Sequence, residues 1–213
     1  MNILDFQLKN WYTVCICFNW ISLVVLSVTL TAIIYTFKAI TKRFGYHSID
    51  VDEFNLGIGN GCIKLKYNKK DQEIAYKLWV ELNTRKIGLD FDLENDVINE
   101  VYNSWHTFFT IARELLKDIP ASRLPYSTEL ITLTTKVLND GLRPHLTMWQ
   151  AKYRKWYSLQ NEDPRAPQQI QRDFPEYSDL VSNLLKTNHQ MIEYKKLMYK
   201  IAFYPKKKIT ITK

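Results

Sequence analysis

The pattern of apolar and polar positions divides the chain into one long uncharged stretch and a series of amphipathic segments. Residues 10–37 contain no Asp, Glu, Lys or Arg. A helix of this length is about 40 Å long, and about 20 apolar residues already cross a bilayer core. Lys9 precedes the stretch, and three basic residues follow it: Lys38, Lys42 and Arg43. The pattern therefore predicts a transmembrane helix over residues 10–37, preceded by a short lead at residues 1–9.

The charges on either side of this stretch predict its orientation. Basic residues accumulate on the cytoplasmic side of a span, and here they follow it. A cleaved signal peptide fits less well, because the apolar core is long and no small-residue cleavage site follows. We therefore expect a single-pass protein of the inner (cell) membrane, with the N-terminus outside and the C-terminal domain in the cytoplasm.

A polar stripe runs along the predicted span. Cys15, Ser22, Thr29 and Thr36 recur every seven residues, and Asn19 lies between the first two. Residues seven apart fall about 20° from each other around a helix, so the set shares one face. An Asn amide in hydrocarbon bonds to a neighbouring helix, which leaves two interpretations: a helix–helix packing seam or a water-facing stripe in an assembled pore. Both imply a homo-oligomer in contact with membrane lipid.

Residues 38–70 form a predicted juxtamembrane segment and β-hairpin. Apolar and polar residues alternate at 49–52 and again at 63–67, on either side of the glycine-rich sequence GIGNG at 57–61. Alternation around a glycine-rich turn is typical of a hairpin. A phosphate-binding loop is the alternative, but no helix start with Lys-Ser/Thr follows the glycines.

Over residues 71–205 the apolar residues recur with the spacing of helices. Five helices are predicted, at 71–86, 94–118, 127–139, 144–159 and 175–203, with Asp71 as the first cap. Gly141 is predicted to end the third helix and Pro144 to begin the fourth. The predicted fold class is therefore mainly α: one transmembrane helix, a small β-hairpin neck and an antiparallel helical bundle in the cytoplasm, followed by a basic tail at 206–213.

The two strongest helical faces supply the predicted core. The first helix places three apolar residues on one side: Ile74, Leu78 and Leu82. The second, predicted as the central core helix, has the longest face, which includes Val101, Tyr102, Trp105, Phe108 and Ala112. Such stripes are typical of helices packed against a common core.

Charge is unevenly distributed. The net charge is +7, but residues 1–120 hold 13 basic and 14 acidic residues, whereas residues 121–213 hold 16 and 8. The basic excess of the C-terminal half indicates an anionic partner, such as a nucleotide, an oligonucleotide or the lipid surface.

Cations and aromatic rings alternate most densely at residues 143–156. One interpretation is an amphipathic helix whose rings are core and whose cations are solvated. The other is a ligand platform in which cations bind phosphates and rings stack on bases. The candidate ligand-binding residues are Arg143, His145, Trp149, Lys152, Tyr153, Arg154, Lys155 and Trp156.

The sequence contains no recognisable catalytic motif. There is no H-E-x-x-H, paired C-x-x-C or Walker loop, and the four histidines are scattered. HEPN ribonucleases carry Arg, four to six residues, then His, whereas Arg43 and His47 are separated by three residues and Arg143 and His145 by one. We therefore predict no catalytic residues, no metal and no cofactor.

The whole arrangement resembles the membrane effectors of bacterial anti-phage defence systems. The striped span, the hairpin neck and the segment GLRPHLTMWQAKYRKWY are similar to Hailong-type channel subunits, which are gated by a nucleic-acid oligomer made by a partner nucleotidyltransferase. The layout is also similar to the pore-forming accessory of RNA-targeting CRISPR systems, which carries a degenerate HEPN-like domain. The resemblance implies a homo-oligomeric channel or pore effector, gated by an anionic ligand such as an oligonucleotide, with a defence-system enzyme as a further partner. A membrane-anchored adaptor without conductance and a membrane-tethered HEPN-like ribonuclease are the alternatives.

Overall fold

The computed structural model describes residues 4–10, 13–18, 20–43 and 47–203, and this part of the chain is mainly helical, as the sequence predicts. The chain separates into two units, Met1–Gly45 and Tyr46–Lys213. The predicted basic tail lies outside the described residues.

The first unit contains a hairpin followed by a helix. Strands β1 (Leu4–Asn10) and β2 (Thr13–Phe18) pair antiparallel, and helix α1 runs over Trp20–Arg43. The prediction of a helix starting at residue 10 is therefore wrong over residues 13–18, where the sequence TVCICF is rich in β-branched and aromatic residues that favour strands. In the described parts of the chain, we find no helix that combines the length and the apolar character needed to cross a membrane.

The second unit begins with the predicted hairpin, which is confirmed. Strands β3 (His47–Asp52) and β4 (Cys62–Tyr67) pair antiparallel, with His47 opposite Tyr67 and Asp52 opposite Cys62. The connection contains a short helix, α2 (Glu53–Leu56). The Asp52 carboxylate accepts a hydrogen bond from the Phe54 amide, and Gly57 ends α2 with a φ of 68°, a conformation that glycine adopts without steric cost.

Helix α3 (Lys69–Thr84) begins two residues before the predicted position. Asn68, rather than Asp71, is its N-cap: the Asn68 side chain accepts from the amides of Lys70 and Asp71, and the Asp71 carboxylate accepts from the Asn68 amide. This reciprocal pair satisfies amides that would otherwise lack partners at the helix start. The predicted buried face of Ile74, Leu78 and Leu82 is confirmed.

Helix α4 (Ile98–Lys117) starts later than predicted. The Asp92 carboxylate accepts from the amides of Glu94 and Asn95 and holds this stretch as a turn. The Ile98 amide then donates to the buried side chain of Gln171, over 2.9 Å between the Ile98 N and the Gln171 Oε1. The predicted core face is confirmed at its centre, where Val101, Tyr102, Trp105, Phe108 and Ala112 are buried. Its other members Phe109, Leu115 and Leu116 are half-buried and pack against the same core.

Residues 124–158 form one continuous helical run, so the predicted break at Gly141 and Pro144 is wrong. The run consists of α5 (Leu124–Lys136), a π-helical stretch (Val137–Leu142), α6 (Arg143–His145), a second π-helical stretch (Leu146–Gln150) and α7 (Ala151–Ser158). Proline inside an α-helix lacks an N–H and clashes with the carbonyl four residues earlier. Wider π turns on both sides of Pro144 accommodate it.

Gly141 has a packing role instead of ending a helix. A Cβ at this position would lie 3.3 Å from the Leu56 carbonyl oxygen and 3.5 Å from the Met191 Cε. The absence of a side chain therefore lets the helical run approach α2 closely.

The last long helix, α9 (Tyr177–Phe203), follows the short helix α8 (Pro167–Ile170) and packs antiparallel on α3. The Gln72 side chain, near the start of α3, donates to the Ile201 carbonyl near the end of α9. Buried Asn188 meets the loop that follows α3: its amide donates to the carbonyls of Ile87 and Leu89, over 3.2 and 3.0 Å, and its oxygen accepts from the Phe91 amide. One side chain thus holds the first part of the connection between α3 and α4.

We expect Gly88→Ala to destabilise the fold. A Cβ at Gly88 would lie 2.1 Å from the Leu82 carbonyl oxygen, which is backbone and cannot rotate away. The free energy of unfolding should fall by about 1–3 kcal/mol in urea titration, the range for overpacking a core. Gly61→Ala is the matched control, because its Cβ would meet only the end of the Glu53 side chain, at 3.2 Å, and a side chain can rotate where backbone cannot. Equal stability of the two variants would contradict this account.

Candidate functional site

The predicted polar stripe does not lie on one helix. Cys15 belongs to strand β2, Asn19 lies outside the described residues, and Ser22, Thr29 and Thr36 belong to α1. The prediction of a five-residue helical face is therefore wrong at Cys15, because the seven-residue spacing defines a face only within a helix. The Thr29 and Thr36 hydroxyls donate to the carbonyls of Leu26 and Ile33, each over 2.9 Å. These bonds satisfy both hydroxyls within the helix.

Helix α1 exposes an unusual amount of apolar surface. Eleven large apolar side chains between Trp20 and Phe37 have relative exposures between 46% and 77%, whereas Ile21 is half-buried. They surround the helix except at the narrow face that holds Thr29 and Thr36: Trp20, Leu23, Val24, Val25, Leu26, Val28, Leu30, Ile33, Ile34, Tyr35 and Phe37. A helix that is apolar around most of its circumference is typical of a buried or membrane environment.

The aromatic face at residues 143–156 is part of the core. His145, Trp149 and Tyr153 have relative exposures of 2%, 6% and 0%, and Trp156 is half-buried. The Tyr153 ring lies 5.5 Å from the rings of both Tyr157 and Phe174. The prediction that bases stack on His145, Trp149 or Tyr153 is therefore wrong. The alternative interpretation, that these rings belong to the core, agrees with their burial.

The cations of the same segment remain on its outer side, with different partners. Lys152 forms an ion pair with Glu176 at 2.8 Å, and the half-buried Arg154 donates to the Asn103 side chain over 2.7 Å. The Arg143 guanidinium lies 5.0 Å from the centre of the Phe109 ring. Exposed Lys155 forms no ion pair with a described residue. Arg143 and Lys155 are thus the cations best placed to meet an anion from solvent.

A buried polar network surrounds His145. Its Nδ1 lies 2.7 Å from the Asn183 Oδ1, and its Nε2 lies 3.2 Å from the Tyr102 hydroxyl oxygen. An amide oxygen only accepts, so Nδ1 carries the proton and donates to Asn183, while Nε2 accepts from Tyr102. The spacing of residues 145 and 183 contains no signal from which Asn183 could have been identified in the sequence.

Burial determines the protonation state of this network. It lowers the pKa of His145 to about 4, against a smaller opposing effect of the Asn183 hydrogen bond, and it raises the pKa of Tyr102. Both side chains are therefore neutral at pH 7. A neutral, enclosed imidazole cannot reach a phosphodiester, so His145 lacks the access that acid–base catalysis needs. No group of three or more His, Cys, Asp or Glu in the described ranges is arranged to hold a metal ion.

The glycine-rich sequence at 57–61 borders a cavity of about 580 Å³, here called the glycine-loop cavity. The loop provides one wall and α9 the other. The residues lining it are Phe54, Asn55, Gly57, Gly59, Asn60, Lys186, His189 and Gln190. The glycine-rich loop is recognisable in the sequence, but its pairing with α9 is not, because the α9 residues are more than 120 positions away in the chain.

Comparison of the chain with protein-family models, with curated proteins and with solved structures found no match.

We expect His145 to make the stability depend on pH. An unfolded histidine titrates near pH 6.5, whereas the folded pKa is about 4. The unfolded state thus binds more protons between these values, and the free energy of unfolding should fall by about 3 kcal/mol as the pH drops from 7 to 4. Urea titrations at several pH values should show this loss in the native chain and a flatter profile in His145→Gln.

His106→Gln is the control for this prediction, because His106 is an exposed residue on α4. Its pH profile should match that of the native chain. A His145→Gln profile with the native slope would show that the buried imidazole does not cause the pH dependence.

Proposed function

We propose that the chain is a homo-oligomeric membrane effector whose second unit binds an anionic ligand, and that ligand binding changes the permeability of the membrane. The observation that carries the proposal is the exposed apolar surface of α1 between Trp20 and Phe37. The defence role and the partner enzyme follow only from the resemblance in layout.

The energetic argument starts from the cost of leaving α1 in water. Burying apolar surface is favourable by roughly 25 cal/mol per Å², and monomeric soluble proteins rarely expose contiguous apolar patches above a few hundred Å². Large apolar residues occur along α1 at nearly every turn from Leu23 to Phe37. A membrane, a second copy of the helix or both would cover this surface.

Self-association follows from the polar positions within that surface. Ser22, Thr29 and Thr36 share one face of α1 by their spacing, and small polar residues at helix interfaces let backbones approach closely in lipid. In the proposed assembly this face forms the seam between copies or lines the path. Asn19, which the sequence predicts to belong to the same stripe, lies outside the described residues. The N-terminus is proposed to lie outside and the second unit in the cytoplasm.

The ligand part of the proposal rests on the cations at the surface of the long helical run. Arg143 and Lys155 are exposed, and the ion pair of Lys152 with Glu176 lies at the surface, with side-chain exposures of 53% and 46%. Exposed ion pairs are worth only about 0–1 kcal/mol, so a phosphate can compete for Lys152. These three residues would attract an oligonucleotide by charge, without stacking on the buried rings.

The first prediction of the proposal concerns membrane insertion. Purified full-length protein mixed with lipid vesicles should float with them in a density gradient and resist extraction at alkaline pH. Val28→Asp with Ile33→Asp should abolish flotation, because each charge at the centre of a span costs about 2.5–3.5 kcal/mol. Val28→Leu with Ile33→Leu is the matched control. Native protein that stays at the bottom of the gradient would contradict insertion.

The second prediction separates a channel from an adaptor. Native mass spectrometry in mild detergent should show a discrete oligomer. The same protein should conduct ions in planar bilayers, and short oligonucleotides should change that conductance. Asn19→Ala should reduce conductance at least tenfold. Ser27→Ala, which changes a polar residue of α1 outside the stripe, should leave it unaltered. A monomer without conductance would contradict the channel and favour the membrane-anchored adaptor.

A further inference from the structure

The glycine-loop cavity combines basic, amide and aromatic groups around a space of ligand size. Its volume of about 580 Å³ lies within the roughly 300–1,000 Å³ of small-molecule sites. The lining includes two basic residues and no carboxylate. The charge of the cavity wall therefore suits an anion.

Backbone contacts fix the shape of the loop wall. The Glu53 amide donates to the Gly61 carbonyl over 2.9 Å, and the Gly57 amide donates to the Phe54 carbonyl over 3.0 Å. A Cβ at Gly57 would lie 2.2 Å from the Gln190 Nε2, so the loop lies directly against α9 at this point. The amides of Gly59 and Asn60 donate to no described residue, which leaves them available to a ligand.

The basic groups come from one face of α9. Lys186, His189 and Gln190 are three and four residues apart, a spacing that places them together on a helix. Neither Lys186 nor His189 forms an ion pair within the described ranges, and both side chains are exposed. A phosphate at this face would therefore not have to break an existing pair.

A carboxylate limits where the anion can sit. The Glu53 side chain lies under the far part of the loop, where a Cβ at Gly59 would be 2.9 Å from its Oε2, and Lys136 contacts it at 3.5 Å. A phosphate cradled on Gly59 and Gly61 would meet this negative charge. The α9 side of the cavity is thus the favourable side for a phosphate.

Phe54 supplies an aromatic surface at the same cavity. Its side chain is 70% exposed, although it belongs to a helix whose other apolar residue, Leu56, is buried. An exposed ring beside amide groups is a typical surface on which a base stacks, at about 1–3 kcal/mol per base.

We propose that the glycine-loop cavity binds a nucleoside 5′-phosphate, either as a free nucleotide or as the terminal unit of an oligonucleotide. Lys186 and His189 hold the phosphate, Phe54 stacks on the base, and Asn55 and Asn60 add further polar side chains to the lining. This site uses different residues from Arg143, Lys152 and Lys155, and it does not depend on α1 entering a membrane.

The test is binding of AMP, adenosine, inorganic phosphate and the dinucleotide pApA to full-length protein in mild detergent, measured by calorimetry. AMP should bind at least tenfold more tightly than adenosine or phosphate, because it engages both walls. If pApA binds much more tightly than AMP, the ligand is the end of an oligonucleotide. If the two bind equally well, the ligand is a free nucleotide. Failure of AMP and pApA to bind at millimolar concentration would overturn the proposal.

Variants assign the two contacts. Lys186→Gln should lower the affinity for AMP at least tenfold and leave the affinity for adenosine unchanged, whereas Phe54→Ala should lower both affinities. Lys117→Gln is the control, since Lys117 is an exposed lysine at the end of α4 and outside the cavity. AMP binding that survives both Lys186→Gln and Phe54→Ala would place the nucleotide elsewhere and overturn the proposal.

A second measurement does not depend on variants. Photolabelling of the native chain with 8-azido-AMP should mark the peptide that contains Phe54, and excess AMP should prevent the labelling. Labelling confined to residues 143–156 would overturn the assignment, while leaving the ligand site of the proposed function intact. Loss of vesicle flotation, in turn, would contradict the proposed function without affecting nucleotide binding here.

Discussion

The buried carboxamide of Asn188 is the interaction on which the second unit depends. The chain must reverse direction between α3 and α4 beside the core, and the backbone groups of that connection cannot all reach water. Asn188 offers two donors and an acceptor, and it uses them on Ile87, Leu89 and Phe91. An unsatisfied buried polar group costs about 1–3 kcal/mol, so this side chain decides where α9 can pack. Asn188 lies on the same helix as Gln190, against which the glycine loop packs, so a shift of α9 at Asn188 would disturb that contact as well.

Parts of this fold could be predicted from the sequence, because local patterns encode them. The alternation on either side of GIGNG gave the β3–β4 hairpin, and the spacing of Val101, Trp105 and Phe108 gave the core face of α4. Both features depend on residues a few positions apart. The strand at residues 13–18 was missed because its residues are as apolar as those of a membrane helix, and apolar character alone does not distinguish the two structures.

Other features could not be predicted because they depend on distant residues. Gly141 and Pro144 usually end helices, and only the proximity of Leu56 and the widened turns explain why the helix continues. The first amide of α4 donates to Gln171, and His145 donates to Asn183, and both partners are tens of positions away in the chain. The candidate site shows the same limit: alternation of rings and cations at 143–156 predicted both a core face and a ligand platform, and only burial separated them.

The two π-helical stretches affect how this region tolerates changes of length. A π turn holds one residue more than an α turn, and it commonly marks the place where a single residue has been inserted into an α-helix. Removing one residue from Val137–Leu142 should therefore convert that stretch to ordinary α-helix. The buried rings that follow it, Trp149 and Tyr153, would keep their orientation toward the core. The same deletion in α4 would turn every later side chain by about 100° and expose half of the core face. Natural relatives of this protein should accordingly differ by single-residue gaps in the long helical run more readily than in α4.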